Sequence, residues 1–342
     1  KVMSFLEEWK DSRHRKPLIL QGARQVGKTY SILEFGRIHY ENVAYFNFET
    51  NPRLNETFEE NISPDYLIPI LSHIAGQTIV RDKTLIVFDE VQLCERALTS
   101  LKYFCEDAPG YHITVAGSLL GVAVNRAKFS FPVGKVDMKT LYPMDMEEFM
   151  LAMGERELVE QIKKSFAADT PLPGALHDAA MRLYRQYLIV GGMPGCVKLF
   201  AETKDYILIR HAQDTILASY LNDMSKYNNL NEIKKTRLAY DNITVQLSKK
   251  NTRFQYKLIK KGGRASEFEN AIEWLCLSGI ASQVYKVEQI KKPLENYRDI
   301  DTFKIYVSDM GLLLAKKDLV ANDILYMVED INDFKGGIRM RK

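Results

Sequence analysis

The chain has 342 residues, 46% hydrophobic and 27% charged, which suits about two or three globular domains with ordinary cores. Its 47 Lys and Arg against 44 Asp and Glu leave a net charge of +3, so composition neither demands nor excludes an acidic partner such as nucleic acid. Cys94, Cys105, Cys196 and Cys276 form no CxxC pair and have no histidine at a zinc-ligand spacing, and no apolar run reaches the roughly 18 residues of a membrane span.

Free thiols and a cytoplasmic location are therefore expected, with no membrane association. Acids inside the apolar part of "KVMSFLEEWKDSRHRK" argue against a signal peptide at the start of the sequence. The first element is a short buried strand, "PLIL", Pro17 to Leu20. It runs into Gly22-Ala23-Arg24-Gln25-Val26-Gly27-Lys28-Thr29-Tyr30, which fits GxxxxGK[ST]. Gly22 and Gly27 free the backbone to turn its N–H groups inward, and a helix from Lys28 aims its N-terminus at the same point. Lys28 is placed to reach the β- and γ-phosphates of a nucleotide, and the Thr29 hydroxyl to bind Mg²⁺. Average residue usage gives the pattern by coincidence in roughly 1% of chains this long.

A second strand is expected over Val43 to Phe48, then an irregular helical stretch through "LIPILSHI". "TLIVFDEVQ", Thr84 to Gln92, reads as a buried strand ending in Asp89 and Glu90. In a parallel sheet these carboxylates end beside the phosphate loop. Asp89 would hold Mg²⁺ through water, and Glu90 would orient and deprotonate the attacking water. "HITVAGSLLG" supplies a further strand, Ile113 to Ala116, then Ser118, which either touches the γ-phosphate or attacking water or caps a helix. "GKVDMKTLYPM" reads as a fifth strand. The strand–helix alternation through residues 17–142 predicts a three-layer α/β domain around a mainly parallel sheet.

These residues resemble the AAA+ superfamily, and more closely a bacterial and archaeal family in which an AAA ATPase domain precedes a C-terminal domain of unknown function. "GARQVGKT", "FDEVQ", "AGSLLG", "LYPMDMEEF", "YLIVGGMPG" and "IYVSDMGLL" carry the resemblance across roughly residues 10–320. It implies a P-loop NTPase sheet with the phosphate-loop strand central. It also implies the roles above for Lys28, Thr29, Asp89, Glu90 and Ser118, and ATP as the nucleotide. Asn47 resembles the polar residue that in AAA+ proteins can restrain the catalytic glutamate. Family members often carry Gly-Arg where this chain has Gly134-Lys135, so no arginine finger is assigned, and Arg96 and Arg126 have no independent support.

Beyond the ATPase domain, assigned to residues 1–150, a helical lid or linker is expected over 151–228, a winged-helix-like domain over 229–320 and a tail over 321–342. Gly191-Gly192-Met193-Pro194 is either a plain corner between two helices or, by resemblance to switch-type AAA+ relatives, a lid in which Pro194 packs on the adenine. Ser266 and Glu269 are read as a capping box at the start of a helix that buries Phe268, Ile272 and Leu275 and stops at Gly279. Two strands follow, with Phe303, Ile305 and Val307 alternating toward one side, and "KKPLENYRD" as the wing. Ahead of that helix, "KKNTRFQYKLIKKGGR" carries seven basic residues and no acid. It is read either as a solvated charged face or, with Phe254 and Tyr256 interleaved, as a contact for a phosphate backbone.

The expected activity is Mg²⁺-dependent ATP binding and hydrolysis, with ATP and ADP as ligands and nucleotide state coupled to the C-terminal module. The alternatives are a slow nucleotide-gated switch or scaffold with little turnover and an ATP-modulated DNA-binding regulator. An unidentified protein partner is expected, with oligomerisation open. Longer relatives continue past about residue 320 into a nuclease-like domain, and this sequence shows no Asp…Glu-x-Lys set for that chemistry.

Overall fold

A computed structural model describes residues 1–117, 131–226, 230–249, 253–319, 321 and 325. They form two compact units, Lys1–Tyr142 and Pro143–Lys342. In the first unit, β1 (Leu18–Gln21), β2 (Asn42–Asn47), β3 (Thr84–Asp89), β4 (His112–Ala116) and β5 (Asp137–Thr140) build one sheet in the order β2-β3-β4-β1-β5. Every neighbouring pair is parallel. Parallel strands need crossovers, and among the described residues helices cover both faces of the sheet.

Side-chain alternation sorts the core into two layers. Ile19, Phe46, Ile86, Phe88, Ile113 and Val115 pack beneath helices Arg53–Glu60, Pro64–Ala75 and Glu95–Asp107. Leu18, Leu20, Leu85 and Val87 face the opposite way, toward Leu6 and Trp9 of helix Val2–Asp11 and Ile32 and Phe35 of helix Lys28–His39. Burial on both faces explains why these strands read as unbroken apolar runs. In-register pairing then brings the C-terminal ends of the strands to one edge: Leu20 lies opposite Ala116, Gln21 opposite Thr140, and Asn47 opposite Asp89.

The second unit begins with helices Met146–Ala152, Arg156–Ala167, Gly174–Val190, Pro194–Thr203, Tyr206–Lys226 and Leu230–Leu247. Helix Ala265–Leu277 then precedes an antiparallel hairpin of β6 (Ala281–Val287) and β7 (Arg298–Val307), and helix Met310–Lys316 follows. Phe268, Ile272 and Leu275 are buried, and Gly279 adopts φ 75° just past the helix end. The expected Ser266 cap is corrected: Arg264 occupies the N-cap, no side chain caps the helix, and Ser266 is already its second residue. A capping box lies instead at Asp145–Glu148, where each side chain accepts the other's backbone N–H.

Phe254 turns inward, 5% exposed, and stacks on Phe303 at 5.6 Å while its N–H donates to the Phe303 carbonyl. The inward ring removes Phe254 from the proposed aromatic contact to a phosphate backbone. Lys257, Lys260 and Lys261 remain exposed.

Gly191 and Gly192 form the corner between helices Gly174–Val190 and Pro194–Thr203, with Pro194 as the first helical residue. Three segments remote in sequence close on this corner. The Met144 N–H donates to the Gly192 carbonyl at 2.7 Å, and the Tyr187 hydroxyl donates to the Met144 carbonyl at 2.9 Å. The Gly192 and Leu312 N–H groups donate to the two Asp309 oxygens at 2.6 and 2.8 Å. Gln213 Nε2 donates to the Ile189 and Val190 carbonyls. A Cβ on Gly192 would lie 1.9 Å from the Met144 oxygen, so only glycine permits the approach. Among the described residues, no helix is long and apolar enough to cross a membrane.

Candidate functional site

The loop after β1 is shaped by backbone conformations that favour glycine or cost strain. Gly22 adopts φ 147°, Gln25 φ 65° and Gly27 φ 89°. A Cβ at Gly22 would sit 2.2 Å from the Leu141 oxygen, so the loop is drawn tightly against the end of the neighbouring β5 segment. Ala23 and Val26 anchor it by burial, 3% and 2% exposed, while Tyr30 projects outward and Arg24 is partly covered. Lys28, the first residue of its helix, is 7% exposed and donates from Nζ to the Gly22 and Ala23 carbonyls at 2.9 and 2.8 Å. These two bonds hold the buried ammonium against the loop.

Thr29, one residue further, donates its hydroxyl to Asp89 Oδ2 at 3.0 Å. Asp89 is 5% exposed at the end of β3, and its Oδ1 accepts the Glu90 N–H at 3.1 Å. Glu90 stands outside the strand in a left-handed conformation, φ 53°, capping the short helix Val91–Leu93. That turn diverts its carboxylate from the strand's own alternation. Gln92 Nε2 donates to Glu90 Oε2. The other amide atom, Gln92 Oε1, is buried with no hydrogen-bond partner, so this side chain carries an unmet polar demand beside the acidic pair.

Two residues of the site escaped sequence reasoning, Tyr45 and Gln92. The Tyr45 hydroxyl donates to Asp89 Oδ2 at 2.7 Å and accepts from Asn47 Nδ2 at 3.1 Å. Burial pushes its pKa up to about 12; the Asn47 hydrogen bond opposes that rise and the donation to Asp89 adds to it, so the phenol remains a proton donor at neutral pH. Asn47 Oδ1 accepts the Glu49 and Thr50 N–H groups, so this amide serves Tyr45 and its own turn, where contact with Glu90 was expected. For Gln92, a visible signal existed: an amide two residues past an Asp-Glu pair.

Ser118 and Arg126 lie outside the described residues. Arg96 donates to the Phe58 carbonyl and lies 3.6 Å from Glu59, and Lys135 pairs with Glu106 at 2.8 Å. Pro194 belongs to the second unit. The hard oxygen donors of Thr29 and Asp89, together with the cationic loop, fit a divalent cation carrying phosphate ligands. Among the described residues no group of three His, Cys, Asp or Glu could hold a metal by itself.

Residues 14–150 match the family model of an AAA domain, and residues 181–323 match that of a domain of unknown function (DUF8612). The Walker-type ATPase paby2304 of Pyrococcus abyssi is similar in structure, with a TM-score of 0.53 and 14% identity over 92% of this chain and 94% of its own. The ORC2 protein of Aeropyrum pernix, in ADPNP-ADP complexes, aligns over 95% of this chain and 92% of its own with 11% identity and a TM-score of 0.42. No curated protein sequence matches the chain. At 14% identity the archaeal ATPase shows a shared fold, and the five-stranded parallel sheet is that of P-loop AAA+ proteins.

Proposed function

We propose that this chain, an AAA domain followed by a domain of unknown function, binds ATP at the loop after β1 and hydrolyses it with Mg²⁺. The observation that carries the reading is the 3.0 Å contact between Thr29 Oγ1 and Asp89 Oδ2 at the mouth of a loop whose lysine is already buried and oriented. Mg²⁺, held by the Thr29 hydroxyl and through water by Asp89, would supply charge neutralisation of the phosphates.

The chain's own residues account for the rest. Lys28 Nζ, which donates to the Gly22 and Ala23 carbonyls, turns to phosphate oxygens, which favours binding because the ammonium then meets an opposite charge as well as an acceptor. The N-terminus of helix Lys28–His39 adds unpaired N–H groups and a favourable dipole. Glu90 orients the attacking water and accepts its proton, and Ser118 is assigned a contact to the γ-phosphate or that water. Pro194 is assigned to the adenine side as a lid residue. Through the Gly191–Gly192 corner, nucleotide state would alter what the second unit presents to a partner.

Binding of a fluorescent ATP analogue and phosphate release, measured for the parent, Lys28→Ala and Glu90→Gln, test this. Lys28→Ala is expected to weaken binding about 10- to 100-fold. Glu90→Gln is expected to keep binding while turnover falls by about 100-fold or more. Unimpaired turnover in Glu90→Gln would remove Glu90 as the base, and a parent that binds no nucleotide would end the reading.

A second reading rests on one feature of the second unit. Lys257, Lys260 and Lys261 are exposed, and Lys257 lines a cleft of about 470 Å³ together with Arg253, Tyr256 and Asp301. It predicts a salt-sensitive DNA interaction through a winged-helix module, weakened when the three lysines are neutralised. Salt-independent or absent DNA binding would retire it.

A further inference from the structure

Tyr45 has no place in the phosphate-loop pattern, yet its hydroxyl shares an acceptor with Thr29. Both donate to Asp89 Oδ2, at 2.7 and 3.0 Å. The register explains how. Tyr45 lies opposite Val87 and Asn47 opposite Asp89, and paired residues of parallel strands project from the same face of the sheet. Tyr45, Asn47 and Asp89 therefore crowd one face at the strand ends, while Phe46 and Phe88 fill the core on the other.

The hydrogen bonds have a direction. A phenol owns one proton. Asn47 Nδ2 donates to the Tyr45 oxygen, so the Tyr45 proton is directed to Asp89. The Asn47 orientation is itself set by its Oδ1, which accepts the Glu49 and Thr50 N–H groups at 2.9 and 3.0 Å. A polar chain thus runs from the turn after β2 through Asn47 and Tyr45 to the carboxylate. Tyr45 leaves 39% of its surface exposed, so core burial does not explain a large aromatic at this position.

We propose that Tyr45 is a positioning residue for the metal-side carboxylate, and that Asn47 acts on Asp89 through Tyr45. Tyr45 fixes the rotation of the Asp89 carboxylate so that Oδ2 stays directed at the Thr29 hydroxyl as a metal with its water shell enters. The proposal rests on the ATPase reading above and adds to it a residue outside the recognised loop and strand-end motifs. Partners that orient a metal-site carboxylate typically change metal affinity about 10- to 100-fold when removed.

The test uses the full chain as the parent, Tyr45→Phe, Asn47→Ala and Lys28→Ala. Affinity for a fluorescent ADP analogue is measured in EDTA and across a MgCl₂ titration, beside thermal unfolding of each protein. In Tyr45→Phe the half-saturating Mg²⁺ concentration is expected to rise about 10-fold. Affinity in EDTA is expected to stay at the parent value, and the unfolding temperature to fall by no more than about 4–8 °C, because the ring and its packing remain while the hydroxyl's bonds are lost. Asn47→Ala should shift the Mg²⁺ requirement in the same direction by about 3-fold, the smaller effect of loosening an aiming residue. An unchanged or lower Mg²⁺ requirement in Tyr45→Phe overturns the proposal. So does a loss of affinity equal in EDTA and in Mg²⁺, which would make Tyr45 a nucleotide contact. Lys28→Ala separates the two levels: if it weakens binding as expected while Tyr45→Phe leaves the Mg²⁺ dependence untouched, the ATPase reading stands and the Tyr45 role falls. If the parent binds no nucleotide, both fall.

Discussion

Each unit places a nearly dry aspartate just beyond a strand or at its end, and the two are satisfied differently. Asp89 ends β3 at 5% exposure and Asp309 follows β7 at 4%. Asp309 accepts the backbone N–H groups of Gly192 and Leu312, joining a helix corner to the N-terminus of helix Met310–Lys316. Asp89 Oδ1 accepts the Glu90 N–H, in a short turn, while Oδ2 accepts the side-chain hydroxyls of Thr29 and Tyr45. A backbone amide in a packed helix cannot be traded for another ligand without unfolding its segment, whereas a hydroxyl can rotate. The lesson is that burial alone does not distinguish a structural acid from a functional one. The mobility of its partners does.

The largest expected effect breaks the structural member of the pair. Asp309→Ala strands two buried N–H donors and removes a helix cap, costing about 3–5 kcal/mol. The chain has two tryptophans, Trp9 in the first unit and Trp274 in the second, each buried. Urea unfolding followed by Trp274 fluorescence in a Trp9→Phe background should show the loss, and a shift below about 1 kcal/mol would mean that the corner holds without Asp309.

The next effect is a difference in pH response. Burial, partly opposed by the N–H groups of Gly192, Leu312 and Gly311, raises the Asp309 pKa to about 6 from 3.8. The folded state then binds this proton more tightly than the unfolded state. Its contribution is fully present below about pH 4 and is lost as pH rises to about 6, some ~3 kcal/mol over the window. In the first unit, His112 moves the other way. Burial, reinforced by the charge of Arg15 and partly offset by Asp82, lowers its pKa from 6.5 to about 4, so its contribution is present above 6.5 and lost on acidification. Asp309→Asn should flatten the Trp274-detected dependence between pH 4 and 6 and leave the Trp9-detected one unchanged. Equal flattening of both would assign the effect to something shared by the units.

The same contrast marks what the sequence could reveal. Strand runs such as Leu85 to Phe88 are unbroken because both faces are covered, and the Gly22–Thr29 spacing encodes a loop conformation almost by itself, so the first unit and the Thr29–Asp89 meeting were legible from local pattern. Tyr45 was not, because its role depends on a register between strands separated by a long crossover. The Gly192–Asp309 bond spans 117 positions, and neither partner announces the other. The cap differs for a related reason: Ser266-x-x-Glu269 satisfies the local motif, but a chain entering through Gly262 and Gly263 begins the helix two residues earlier, at Ala265. Asp145-x-x-Glu148 satisfies the same logic with an aspartate in place of serine.

The smallest expected stability effect belongs to the functional member. Asp89→Asn keeps the side chain's shape and a carbonyl oxygen able to accept from Thr29 or Tyr45, and it removes a buried charge. Stability should change by no more than about 1 kcal/mol, and a gain is physically reasonable because sites built for ligands are not optimised for the ligand-free fold. The Mg²⁺ dependence of nucleotide affinity should nevertheless collapse, because an amide oxygen carries too little charge to hold the metal's water shell. Unfolding monitored through Trp9, set beside the same MgCl₂ titration, reads both quantities in one protein. A loss of several kcal/mol in Asp89→Asn would place Asp89 with Asp309 as a structural acid, and partner mobility would no longer separate the two.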